Sequence, residues 1–138
     1  MPTLIGLGLA VFVAIMARIT GLDRDRAFYP VALIVIASYY ILFAVIGGRQ
    51  ADVQVAGLLF LLFAALAIVG FRSNLWLVVG GLVAHGLLDL VYSGLVGDGG
   101  MPPFWPAFCL AYDVAAAACL AILLIVHPTA SPTVSPSP

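Results

Sequence analysis

The chain has 138 residues, of which 64% are hydrophobic and only 8% are charged, and its mean hydropathy is +1.23. An ordinary soluble domain carries about 25% charged residues, so this chain cannot give a water-facing surface its usual charge. The five basic residues are all Arg, the six acidic ones are all Asp, and the net charge is −1, which leaves no basic field for nucleic acid to meet.

The fourteen Gly and nine Pro would sit awkwardly in a soluble helical core but are tolerated in membrane helices, where neighbouring segments re-satisfy freed backbone groups. A span needs about 20 mostly apolar residues. The pattern predicts an all-α polytopic membrane bundle of about five transmembrane helices, at 3–20, 30–47, 53–71, 75–96 and 106–126, with residues 1–126 forming one transmembrane domain.

The first stretch lacks the basic start of a signal peptide: no charge precedes its apolar run, and Arg18 follows it. It therefore reads as a span that is kept. Gly6, Ala10 and Ala14 form a small-residue stripe along it. A loop carrying Asp23, Arg24, Asp25 and Arg26 leads to the second span, with Pro30 in its first turn and Tyr39 and Tyr40 seven or eight residues from its far end. Arg49 and Asp52 mark the break before the third span, and Arg72 to Asn74 the break before the fourth. The Gly-rich GDGG at 97–100 lacks a following basic residue and reads as a turn. The next residues, PPFWP, read as a rigid cap over the last two helices, with Trp76 and Trp105 as interfacial anchors. The tail 127–138, rich in Pro, Ser and Thr, cannot bury apolar area and is expected to be disordered. No internal repeat suggests an inverted-repeat transporter.

Arg18, Arg24, Arg26 and Arg72 fall on one side of the membrane and only Arg49 on the other. The positive-inside bias then places the first–second and third–fourth loops in the cytoplasm, the N-terminus outside and the tail inside.

The fourth span contains His85, Asp89, Tyr92 and Ser93, and the fifth contains Cys109, Tyr112 and Asp113. A central Asp costs about 2.5–3.5 kcal/mol on insertion scales, so the pair opposes insertion by roughly 5–7 kcal/mol, and such groups face the bundle interior and find partners. His85 and Asp89 are i,i+4 neighbours with Tyr92 on the same stripe, and Cys109 and Asp113 are again i,i+4. Counted from the shared loop, Asp89 and Asp113 both lie about 10 Å deep, and Tyr92 and Cys109 about 5 Å deep. One site could hold them all, with Tyr39 or Tyr40 adding a hydroxyl. Gly80, Ala84, Gly86, Gly94 and the alanines 115–118 would let the helices approach closely.

The plainer reading of each residue is packing. His85 and Asp89 would fix helix register, Asp113 would hold two helices together, and Cys109 and Cys119 would be small buried hydrophobes. The two cysteines, about 15 Å apart on one helix, cannot bridge each other. Two level carboxyls in a low dielectric repel, so one keeps a proton unless His85 or a metal balances them. Motifs for zinc proteases, redox dithiols, phosphate-binding loops and serine hydrolases are absent from the sequence.

The stretches RAFYPVALIVIASYYILFAVIGG, AHGLLDLVYS and PPFWPAFCLAYDVAAA resemble a family of small bacterial integral membrane proteins of unknown function. The resemblance runs from about residue 26 to 120 and rests on H-x-x-x-D followed by C-x-x-x-D. It implies a bacterial membrane protein and carries no activity. Where the family pattern often has a second His one turn after the Asp, this chain has Ser93, which removes a possible metal ligand.

Three functions follow as expectations. His85, Asp89 and Asp113 could titrate in a site that binds a ligand or relays protons. Together with Cys109 they could hold a divalent metal in an enzyme acting on a lipid, or the carboxyls could serve there as acid and base. The cluster could instead only pack helices in an accessory subunit. The expected partners are the lipid bilayer and a second copy of the chain.

Overall fold

The computed structural model describes residues 1–96 and 100–127, with side chains omitted for 93–96. Residues 97–99 of the turn expected at 97–100, the surroundings of Gly94 and the tail from 128 onward lie outside the described residues. The described residues form five α-helices: α1 Pro2–Thr20, α2 Phe28–Gly47, α3 Gln50–Arg72, α4 Trp76–Val96 and α5 Trp105–Val126. A short 3-10 turn, Leu22–Arg24, lies between α1 and α2.

α1, α2, α3 and α5 are each long and apolar enough to cross a membrane, and α4 contributes a shorter described apolar stretch, Trp76–Tyr92. The outward faces carry Ile5, Leu58, Leu61 and Ile125, all exposed, while small and aromatic residues such as Ala37, Tyr40, Ala56 and Phe63 fill the interior. Water would oppose that distribution; lipid accepts it.

Local chemistry sets the helix ends. Gly21 and Gly48 take left-handed φ of 79° and 73° directly after α1 and α2, and the Gly48 N–H closes on the carbonyls of Ala44 and Val45. Asn74 Oδ1 accepts the Trp76 N–H at 3.0 Å, capping the start of α4. α3 begins at Gln50, earlier than the hydropathy pattern suggested, so Asp52 lies in its first turn, buried and 3.6 Å from Arg49. A carboxylate suits a helix N-terminus, which explains why the helix runs past the polar residues.

Spatial neighbours do not follow chain order. α1 packs on α5, α5 on α4, α4 on α3 and α3 on α2, with a smaller α2–α4 contact, so α1 and α2 flank a cleft and pack little on each other. The α1–α5 contact depends on Gly6: a Cβ there would run into the Phe108 carbonyl. Gly6, Ala10 and Ala17 are the buried small residues of α1, with Ala14 only partly covered.

The small residues of α4 divide differently from the expectation. Gly80 and Ala84 are exposed, and a Cβ at Gly80 would meet nothing within 4 Å. Gly86 does face α5, where a Cβ would lie 3.1 Å from Asp113 Cβ and 3.2 Å from Leu110 Cα. Residues six apart on a helix point to different sides, so only one of these two glycines can face α5. The loop after α4 reaches beyond the last two helices, since Gly100, at φ 83°, lies against the Phe43 carbonyl of α2. Trp105 is half-buried against Tyr39, Phe43 and Phe108 rather than simply anchoring outward.

Candidate functional site

α4 and α5 lie antiparallel, and Gly86 lets them approach at the level of Asp113. That approach brings His85, Asp89, Cys109 and Asp113 together, with one donor atom from each lying within 4.8 Å of the others. His85 is 1% exposed and both Asp89 and Asp113 are 0% exposed, so bulk water does not reach the cluster.

His85 Nδ1 is 2.8 Å from Asp113 Oδ2, and the Cys109 thiol donates to the same oxygen at 3.6 Å. Among the described side chains, which do not include that of Ser93 one turn after Asp89, no hydrogen-bond partner reaches His85 Nε2, either carboxylate oxygen of Asp89, Asp113 Oδ1 or the Tyr92 hydroxyl. An ionised carboxylate taken out of water costs several kcal/mol, roughly, unless a cation or hydrogen bonds compensate, and unpartnered buried polar atoms call for an explanation.

Aromatic rings fix the imidazole. The Tyr40 ring lies 4.8 Å from His85 and 4.5 Å from Tyr92, where it stacks, and Phe63 of α3 meets His85 edge-on at 5.0 Å. The Tyr40 hydroxyl donates to the His85 carbonyl at 3.4 Å, a long bond. Of the two tyrosines singled out in α2, Tyr40 therefore belongs to the surroundings of the cluster. Tyr39 lies outside it, against Phe43 and Trp105. Phe63 is a member that the sequence did not mark; a lone Phe in an apolar span carries no signal. Cys119 is a partly buried free thiol, separate from the cluster.

The donor set suits a borderline metal. Zinc takes imidazole, thiolate and carboxylate at about 2.0–2.3 Å, which puts tetrahedral ligand atoms roughly 3.3–3.8 Å apart. Donors already within 4.8 Å need only a small contraction.

Two cavities adjoin the cluster's end of the bundle and its opposite end. The cleft between α1 and α2 encloses about 520 Å³, with Leu9, Val13, Val35, Tyr39 and Phe108 in its walls and Cys109 of the cluster at its edge. At the end of the bundle where α1 runs into α2, a second cavity of about 310 Å³ is lined by Arg18, Arg24, Arg26 and His127, with Asp23 and Asp25. Asp25 borders both. Arg18 pairs with Asp23 at 3.2 Å and contacts His127 Nε2 at 3.2 Å, while the other Asp23 oxygen is buried without a partner among the described residues.

Fold and cluster together define a class: a helical membrane bundle with an acidic, imidazole and thiol centre between two helices. Comparison with protein-family models, with curated proteins and with solved structures found no match.

Proposed function

We propose that this chain is a bacterial inner-membrane protein whose α4–α5 cluster binds one divalent transition-metal ion, zinc by its donor set. The observation that carries this reading is the convergence of one donor atom each from His85, Asp89, Cys109 and Asp113 within 4.8 Å, with all four side chains buried. A divalent cation offsets two of the three negative charges that two carboxylates and a thiolate would bring, and gives the buried donors a shared ligand. Ser93, at a position where the related pattern often has a His, does not leave the set short, because Asp113 and Cys109 supply the donors from α5.

Four protein donors and dry burial favour a closed site over a hydrolytic one, since catalytic zinc keeps a position open for water. The ion would clasp α4 to α5. Without it, the His85–Asp113 hydrogen bond is a proton-sharing pair, and proton relay is the reading that remains if the metal fails. By the positive-inside bias, the Arg18, Arg24, Arg26 and Arg72 end faces the cytoplasm, with the N-terminus outside.

Elemental analysis of purified wild-type protein beside His85→Ala and Asp113→Ala tests the proposal. About one zinc per chain is expected in the wild type and none in either variant. A folded wild-type protein that neither contains zinc nor takes it up would overturn the metal and leave protons or packing.

A further inference from the structure

From the two adjoining cavities we infer that this protein holds one anionic phospholipid, with an acyl chain in the α1–α2 cleft and the phosphate in the arginine-lined cavity. The inference does not rest on the metal reading: of the four proposed zinc donors only Cys109 borders the cleft, and His85, Asp89 and Asp113 line neither cavity.

The first argument is shape. Along α2 the cleft is lined from Phe28 to Tyr39, eleven residues or about 16 Å of helix, close to half of a hydrocarbon core about 30 Å thick. It therefore has the depth of one leaflet, and its 520 Å³ lies in the ordinary range for ligand sites. The cleft is open because α1 and α2 pack on other helices and little on each other. Lipid is what bathes its flanks, where Val31 and Val35 are about half exposed.

The second argument is charge, and it sets the headgroup. Where the cleft reaches Leu22 and Asp25, it meets the cavity lined by Arg18, Arg24 and Arg26. Three guanidinium groups stand there against the carboxylates of Asp23 and Asp25. The excess of one positive charge matches one phosphodiester. Arg18 is already held by Asp23, and Arg26 donates to the Phe71 carbonyl at 3.4 Å. Arg24 is thus the residue whose guanidinium is expected to carry the phosphate contact, with Arg26 beside it. Basic cavities between helices at a membrane face suit such headgroups.

The test is photocrosslinking in phosphatidylcholine vesicles doped with phosphatidylglycerol that carries a mid-chain diazirine. The crosslinked peptides are mapped, and a phosphatidylcholine probe of the same chain serves as the comparison. The expected result is labelling concentrated on the Val13 and Val31–Tyr39 peptides over the equally exposed α3 face at Leu58 and Leu61, with a several-fold preference for the anionic probe. Ala32→Trp, or Val35→Trp where the first does not fold, should remove the cleft labelling at unchanged zinc content. Arg24→Gln with Arg26→Gln should erase the headgroup preference and keep the chain labelling. Even labelling of all lipid-facing helices, or cleft labelling with no preference between the probes, would overturn the inference, whatever the zinc analysis gives.

Discussion

His85 Nδ1 and Asp113 Oδ2, 2.8 Å apart, join α4 to α5 between two side chains that are almost wholly closed to solvent. Each residue opposes insertion of its own helix, and each supplies what the other lacks. The contact therefore matters more to how the two helices associate than to either helix alone. On the proposed metal reading its strength has two sources that can be separated, the hydrogen bond itself and the ion that the surrounding donors would hold.

A double-mutant cycle of His85→Ala and Asp113→Ala separates them. In metal-free protein the coupling should be about 1 kcal/mol, because helices separated within lipid find other polar partners. Breaking a comparable buried pair in a soluble protein costs about 3–5 kcal/mol. With zinc present, the apparent coupling should rise with zinc concentration, as it does for any ligand of the folded state. Reversible unfolding in mixed micelles measures both. A coupling that ignores zinc would argue for the hydrogen bond alone.

Zinc affinity should fall as pH is lowered. Metal ligation needs the thiol and imidazole deprotonated, so each proton displaced on binding lowers the apparent affinity about tenfold per pH unit below the ligand's own titration. Cys109→Ser removes one such proton, and the slope of log affinity against pH should become shallower by about one. Competition with a chelating dye at several pH values reads the slope. An affinity flat with pH in the wild type would exclude thiolate and imidazole ligation.

The glycines of α4 offer a steric contrast. Gly86→Leu should destabilise the bundle by about 1–3 kcal/mol, the usual cost of overpacking, and should also lower zinc content, since its Cβ would press on Asp113. Gly80→Leu, facing open space, should stay within about 0.5 kcal/mol of wild type. Thermal unfolding with zinc analysis on both variants checks the pair; equal effects would contradict the helix facing described above.

The membrane orientation is open to a direct check. In intact cells, Gln50→Cys should react with a membrane-impermeant maleimide and Ser73→Cys should not, although both positions are exposed. Both should react once the membrane is opened. The opposite pattern would invert the topology.

Much of this architecture can be read from the sequence because lipid simplifies the problem. Apolar stretches of spanning length stand out, and an Asp, His or Cys inside one is conspicuous. Counting residues from the shared loop placed Asp89 and Asp113 at equal depth, and the structure brings their carboxylates into one cluster. Rotation about each helix axis was harder to judge. An α4 rich in Gly and Ala offers small residues on more than one side, and only the packing assigns Gly86 to α5 and leaves Gly80 outside. Tyr39 and Tyr40 are adjacent in sequence, so hydropathy cannot separate the ring beside His85 from the one beside Trp105. The cleft had no signature at all, because it arises from α1 choosing α5 over α2.

That choice also dictates an order of assembly. The Gly6–Phe108 contact joins positions 102 residues apart in the chain, and at translation rates of about 5–20 residues per second Phe108 follows Gly6 out of the ribosome by roughly 5–20 s. Throughout that interval α1 waits in the bilayer without its main packing partner, tethered only by a short loop. A nascent chain stalled before α5 would therefore leave the Gly6 face bare to other membrane proteins, and the last helix to be made is the one that releases the first from that exposure.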